Sequence, residues 1–415
     1  MAKETIIAGL DIGTSYIRTI IAKVRADQSK PQIIGVGQVP SFGLRKGLVI
    51  DIEEVAKSIR QAKEEAERAA GVQIRCVYVS VGGEHISSRV SKGVVAVSRA
   101  DSQVSEEDVD RAINAASAIS IPQNREILHV IPRNFILDEQ KGIKDPVGMN
   151  GVRLEVDALI IEGSTPFIKN LIKCVSEAGL EIEGLVLASL ASSRAVLSKR
   201  QKELGVLNLD LGGGTVDLTV FEEGDIIHSH VLPIGSSHIT NDIAIGLRTT
   251  IDLAERVKLE YGSALTSEIS KKENIDLSKL GLEEDGSVPR VQIAEIIEAR
   301  LCEILELTNK ELKKIDRQGL LPAGIVLLGG GSKIPGLVDL TKDTLKLPAQ
   351  IGFPVELTGI VDRVDDPAFA TAVGLVLWGF DVQTKGNRRG IPLPDIPGIS
   401  QTVNKIKNWF RDFLP

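Results

Sequence analysis

Two stretches of this chain carry the residue types that handle phosphate and metal, at matching spacing. In the first, Asp11 is followed by Gly13, Thr14 and Ser15; in the second, Asp210 is followed by Gly212, Gly213, Gly214 and Thr215. Each aspartate ends an apolar run, and each glycine turn leads into a second run in which apolar residues recur. Val216, Leu218 and Val220 alternate with Asp217 and Thr219, the period of a half-covered strand. Glycines in such a turn let backbone amides point into open space without side chains in the way. A strand–turn–strand unit of this kind can wrap a polyphosphate with amides and set its aspartate beside the accompanying cation. A third glycine loop, Gly329, Gly330, Gly331 and Ser332, closes the apolar run at 325–328.

The elements that must position these loops are legible in order. A strand at 32–39 follows the first hairpin. Asp51 caps a helix to Ala70, with Glu54 as capping-box partner and Gly71 as stop. Its apolar face is Ile52, Val55, Ile59, Ala62, Ala66 and Ala69. After a strand at 77–81 the rhythm changes. A strand at 93–98, a helix capped by Ser105 and two longer strands at 127–137 and 152–161 read as an inserted α+β module. Thr165 and Pro166 then start a helix, followed by a strand near 185–187 and a helix near 190–197. Beyond the second hairpin come helices near 237–247 and 251–259, a polar irregular stretch at 261–289 and a long helix at 291–315. The third loop leads to a helix from Gly336, a strand near Val355 and a helix beginning at Asp366-Pro367, whose Ala368, Ala370, Ala372 and Gly374 suit tight packing at a hinge.

Composition sets limits. The 415 residues are 43% hydrophobic and 25% charged, a globular balance with room for two or three domains. A formal net charge of −7 argues against a nucleic-acid partner, which calls for a basic face. Cys76, Cys174 and Cys302 are too scattered for a disulfide framework or a metal site and fit a reducing cytosol. The five histidines show no ligand spacing. No apolar signal-peptide core opens the chain, and no apolar run reaches the roughly 18 residues of a membrane span.

Two hairpins and a strand–glycine–helix loop, in this order, match the nucleotide-contact elements of the actin, Hsp70 and sugar-kinase superfamily. Within it the whole chain resembles the FtsA family of actin-like bacterial division proteins. The narrower match rests on the insert after Gly82-Gly83, on Leu128-His129-Val130-Ile131-Pro132, on Gly142-Ile143-Lys144 with Pro146-Val147-Gly148 and Gly151-Val152-Arg153, on Leu190-Ala191-Ser192-Ser193, and on Thr371-Ala372-Val373-Gly374-Leu375. The resemblance implies an α/β, two-lobed actin-like ATPase fold with an inserted α+β subdomain and a C-terminal amphipathic helix. The expected division is 1–83 with 163–199 as the core of the first lobe, 84–162 as the insert, 200–240 with 318–382 as the core of the second lobe, 241–317 as its small subdomain, 383–398 as a linker and 399–415 as a membrane-binding helix.

It also implies roles for residues. ATP would bind with Mg²⁺ held mainly through water by Asp11 and Asp210. Gly13, Thr14, Ser15, Gly212, Gly213, Gly214 and Thr215 would meet the phosphates. Glu255 and Lys258, three apart on one helix face, would meet the ribose or adenine edge, with Gly330, Gly331 and Ser332 beneath the base. Where relatives place a group that orients the attacking water, this chain has Ser189, a poor base, so at most slow ATP hydrolysis is expected. Implied partners are the C-terminal tail of the ring protein FtsZ, with Arg300 as its pairing residue, other copies of the chain in filaments, later division proteins and the anionic lipids of the inner leaflet. The expected place is the cytoplasmic face of the cell membrane at the division septum.

The end of the chain supports the membrane expectation from its own pattern. Ile399, Val403, Ile406, Phe410 and Phe413 step by four, three, four and three; Trp409 and Leu414 flank that face and Lys405, Lys407 and Arg411 lie at its sides or rear. Large aromatics with basic flanks suit the headgroup boundary. Two competitors lack support. A sugar or acetate kinase needs an aspartate base in the cleft, and the first half offers no clear one. A pilus-assembly relative would not need the terminal helix.

Overall fold

The computed structural model describes residues 4–25, 28–99, 101–277 and 287–386. The terminal helix expected at 399–415, with its membrane residues from Val403 to Leu414, lies outside them, as does the linker past residue 386.

Both hairpins form, and they form alike. Strands Glu4–Ile12 and Tyr16–Arg25 pair so that Asp11 faces Arg18; strands Val206–Leu211 and Val216–Glu222 pair so that Asp210 faces Asp217. In each turn the glycine two residues after the aspartate donates its N–H to the carbonyl three residues on: Gly13 to Tyr16 at 3.1 Å, Gly212 to Thr215 at 3.0 Å. The two turns are one device used twice.

Each hairpin is built into its own sheet. In the first lobe the strand order is Glu181–Leu187, Cys76–Val81, Glu4–Ile12, Tyr16–Arg25, Gln32–Pro40, Thr358–Gly359. In the second it is Asp225–Leu232, Val216–Glu222, Val206–Leu211, Ile325–Leu328, Ala349–Ile351. Helix Ile52–Ala70 covers the first sheet through Val55, Ile59, Ala62 and Ala66, while Ile52 is half-buried and Ala69 exposed. A Cβ on Gly37 would lie 2.0 Å from the Ala62 carbonyl oxygen, so the helix needs glycine there to settle on the sheet. Asp51 accepts from the N–H groups of Glu53 and Glu54 and Gly71 closes the helix at φ 68°, although Glu54 makes no reciprocal capping bond.

Between the first-lobe strands lies a separate four-stranded sheet in the order Ser87–Ala96, Arg153–Ser164, Arg125–Leu137, Gln140–Ile143. Helix Glu106–Ser117 covers one of its faces and starts at a Ser105–Asp108 capping box. The strands run longer than the apolar periodicity indicates, because polar residues at their ends stay in register.

Two helices join the lobes, Ala188–Val196 and Ala370–Gly386. The second is preceded by a 3-10 turn, Pro367–Phe369, capped by Asp366, so the helix itself starts later than Asp366-Pro367 suggests. It also runs on through residues expected to open the linker at 383. No strand forms at Val355. The chain there carries Pro354, which has no N–H, and Glu356 at φ 66°, and it pairs instead at Thr358–Gly359 with the edge of the first sheet. The stretch expected to be irregular holds a small strand pair, Asn274–Asp276 with Ser287–Pro289. Helices Ser236–Leu247, Ile251–Tyr261 and Arg290–Lys314 stand beside the second lobe's sheet. Among the described residues no helix is long and apolar enough to cross a membrane.

Candidate functional site

The two hairpins point at each other across a cleft of about 860 Å³ between the lobes. Of the residues that the hairpin motifs and the resemblance point to, Asp11, Gly13, Thr14, Ser15, Asp210, Gly212, Gly213, Thr215, Glu255, Lys258, Gly330 and Gly331 line it. Gly214 and Ser332 do not. A Cβ on Gly214 would lie 2.8 Å from Thr14 Oγ1, so this glycine lets the second turn close on the first. Ser332 is fully buried and its hydroxyl donates to the Gly329 carbonyl at 2.7 Å, which holds the third loop in shape from behind. Gly330 has open space where a side chain would be. Gly329 cannot carry one, since at φ 75° its Cβ would sit 2.3 Å from Asp210 Oδ1.

The carboxylates dominate the electrostatics. Asp11 accepts from Ser80 Oγ at 2.9 Å and lies 3.8 Å from the Arg18 guanidinium. Asp210 accepts from Thr371 Oγ1 at 3.3 Å. Asp217 accepts from Thr215 Oγ1 at 3.0 Å through one oxygen, while its other oxygen, Oδ1, is buried without a partner among the described residues. Burial raises the pKa of Asp11 against the pull of Arg18 and Ser80. Burial, reinforced by the negative charge of Asp217 and Asp11, pushes Asp210 up to about 7. Burial also pushes Asp217 up to about 6 against its hydrogen bond from Thr215, with Asp11 adding to the rise. Three acids held close in a protein-walled cleft, one with an orphaned oxygen, make a site that a cation would relieve. Among the described residues no group of three His, Cys, Asp or Glu side chains is placed to chelate a metal directly. The donor set therefore fits Mg²⁺ held through its waters and through phosphate oxygens.

Sequence spacing missed Asp217, Arg18, Ser80 and Thr371. The equivalence of the hairpins was the available signal for the first two, since Arg18 and Asp217 occupy the same cross-strand position in the two units. Ser80 and Thr371 arrive from other strands and helices. Ser189, expected near the attacking water, is buried with its hydroxyl unpartnered among the described residues, and its neighbour Ala188 lines the cleft instead.

The Glu255–Lys258 pair is braced rather than free. Lys258 Nζ donates to Glu255 at 2.6 Å and to Thr240 Oγ1 at 2.8 Å. Helix Ser236–Leu247 is tied to the second turn, with the N–H groups of Ser236 and Ser237 donating to the carbonyls of Gly212 and Gly213 at 2.9 and 2.8 Å. Arg300 lies elsewhere, on helix Arg290–Lys314, with its guanidinium forked onto Asp242 at 2.6 and 2.9 Å and also bonded to Glu303. An acidic peptide would have to compete with both. Of the histidines, His85 lines the cleft, and its Nδ1 accepts from the Ser164 N–H at 3.3 Å. His129 is buried and accepts the Leu187 N–H at 3.0 Å, and His228 and His230 flank Glu311.

Two lobes around paired aspartate–glycine hairpins define an actin-like ATPase fold, and solved structures of that class superpose on the chain. A PilM–PilN type IV pilus biogenesis complex matches with TM-score 0.65 at 21% identity, covering 90% of this chain and 98% of that one. MreB5 of Spiroplasma citri bound to ADP matches with TM-score 0.53 at 14% identity, covering 93% and 99%. The sequence profile of "Cell division protein FtsA" matches residues 207–374, and that of the "SHS2 domain inserted in FTSA" matches residues 83–162. Cell division protein FtsA of Pseudomonas aeruginosa is 39% identical over 98% of this chain and 97% of its own length, and that of Neisseria meningitidis is 40% identical over 99% of each. The chain belongs to the FtsA family of cell division proteins.

Proposed function

We propose that this chain binds ATP with Mg²⁺ between its lobes and, in that state, polymerises on the inner leaflet of the cell membrane. There it tethers FtsZ filaments through their C-terminal tails and helps recruit later division proteins at the septum. The observation that carries the nucleotide reading is the pair of equivalent hairpins, whose glycine turns and three crowded carboxylates line one cleft. When bound, Mg²⁺ would supply the positive charge that offsets both the acids and the phosphates. Asp11 and Asp210 would hold its waters, Asp217 Oδ1 would take a hydrogen bond from one of them, and Arg18 would balance the remaining negative charge. Gly213 would bring its amide to the phosphates, the amides of Gly13 and Gly212 being taken up in holding the two turns, and Gly330 would leave room above the third loop. Where the hinge helix meets the cleft it presents Ala188, which can accept no proton, so turnover is slow and ATP acts chiefly as a conformational ligand, favouring the lobe arrangement that binds it better.

Membrane attachment rests on the sequence of residues 399–415. Each large apolar side chain that inserts contributes roughly 1.5–3 kcal/mol before the cost of ordering the helix. Each of Lys405, Lys407 and Arg411 adds about 1 kcal/mol near an anionic surface. One tail holds weakly and reversibly; a polymer presenting many tails holds by avidity. The test is co-sedimentation of the full chain with anionic vesicles and ATP·Mg²⁺. Trp409→Glu or Phe410→Glu should leave most of the protein in the supernatant with ATP affinity unchanged. Wild-type levels of pelleting in either variant would place the anchor elsewhere.

A further inference from the structure

The insert is rooted in the first lobe, yet it touches both the hinge and the second lobe. At the root, Arg125 donates to the carbonyls of His85 and Glu162 at 3.0 and 3.1 Å and pairs with the Glu162 carboxylate, which also binds Arg89. Midway along the same strand, His129 accepts from the Leu187 N–H, at the start of hinge helix Ala188–Val196, and its ring lies 5.8 Å from that of Trp378 on the second hinge helix. At the tip, Lys144 donates to Asp225 Oδ2 at 2.7 Å and to the Glu223 carbonyl at 2.8 Å, both in the second lobe. Nearer the root, at the start of edge strand Ser87–Ala96, Ser88 donates to the Ser229 carbonyl at 2.8 Å, a second contact with the second lobe.

A stiff four-stranded sheet rooted in the first lobe cannot keep both contacts with the second lobe if the lobes rotate about the hinge. The interface is also unfinished. Asp225 Oδ1 and Arg133 Nε lie buried there without hydrogen-bond partners among the described residues, although the Arg133 charge is near enough to act on Asp225. A small swing of the insert would make a bond that the present arrangement leaves unmade, which gives the contact two distinct states.

We infer that the insert is a strap across the two lobes, latched by Lys144 on Asp225, and that lobe movement driven from the cleft makes or breaks this latch. The position of the insert then reports the state of the cleft to whatever the insert touches, and by reciprocity the latch sets nucleotide affinity. The second half of this statement rests on the reading of the cleft as an ATP·Mg²⁺ site; the first half does not.

Amide hydrogen exchange on the full chain separates the two. Lys144→Met takes the cation from buried Asp225, and Ser88→Ala removes the other contact with the second lobe with less risk to folding. Without nucleotide, each variant should speed exchange severalfold in strand Arg125–Leu137 and in helix Ala188–Val196. Lys92→Met, whose exposed side chain pairs with Asp157 within the insert, should change neither. With ATP·Mg²⁺, Lys144→Met should shift the dissociation constant at least threefold, although Lys144 does not line the cleft. Wild-type exchange at the hinge in both variants overturns the strap, whether or not the protein binds ATP. Faster hinge exchange in a protein that fails to bind ATP upholds the strap and removes the nucleotide reading instead.

Discussion

Replacing Asp210 with alanine should weaken Mg²⁺-dependent ATP binding at least tenfold, about 1.4 kcal/mol or more. The side chain stands where the second hairpin, the third glycine loop and the hinge helix meet, touched by Thr371 and pressed by Gly329. Its loss removes one of the two carboxylates that would hold the cation's waters, and the smaller residue offers no substitute acceptor. The same change should raise the stability of the empty protein at neutral pH. Asp210 is pushed up to about 7 in the fold, above its value in the unfolded chain, so the folded state binds the proton more tightly. The cost of ionising it therefore grows as pH rises from about 4 and is complete above about pH 7. Asp210→Ala deletes that cost. Lost affinity with gained stability is the signature of a residue kept for a ligand. Unchanged affinity in calorimetry would remove Asp210 from the site.

Gly374→Val should be among the most damaging single changes in the chain. The two hinge helices cross so closely that a Cβ at position 374 would lie 1.8 Å from the Ala191 carbonyl oxygen, a backbone atom that no rotamer change can move. Forcing the helices apart should cost at least about 3 kcal/mol, since overpacking against backbone lies at the upper end of such effects. With an unfolding entropy of about 2.1 cal/mol/K per residue, that corresponds to a fall in Tm of roughly 3 °C or more for a chain of 415 residues. Gly330→Ala is the matched control. Nothing lies within 4 Å of its Cβ position, so its Tm should stay close to that of the wild type. A stable Gly374→Val protein would mean that the hinge is more yielding than its packing indicates.

The comparison of sequence with structure divides along a physical line. Elements whose signal is local were readable. The Asp–x–Gly turns, the cap at Asp51, the stop at Gly71 and the Ser105 cap each depend on residues a few positions apart. Interactions made at long range were not. Alternation along strand Val216–Glu222 placed Asp217 on the outward side, and only the opposing lobe makes that side the inside of a cleft. Thr371 reaches Asp210 from 161 residues away, and Lys144 meets Asp225 across 81. The strand expected at Val355 failed for a local reason that was visible, a proline followed by a residue that takes a positive φ. Gly214 and Ser332 belong to the glycine loops at the cleft yet do not line it: the first lets the two turns close on each other and the second holds the third loop in shape.

ATP binding by the cleft, through a cation held over Asp11, Asp210 and Asp217, underlies the proposed function. It is tested most directly by calorimetric titration of the wild-type chain with ATP, with and without Mg²⁺, near pH 6.5 in two buffers of different ionisation heat. At that pH Asp210, pushed up to about 7, and Asp217, pushed up to about 6, hold protons part of the time in the empty cleft. A cation favours their ionised forms, so binding should require Mg²⁺, should release protons to the buffer beyond those ATP itself gives up, and should tighten as pH rises through about 7. Failure to bind, or binding of equal strength without Mg²⁺ and with no proton release from the protein, would contradict the account.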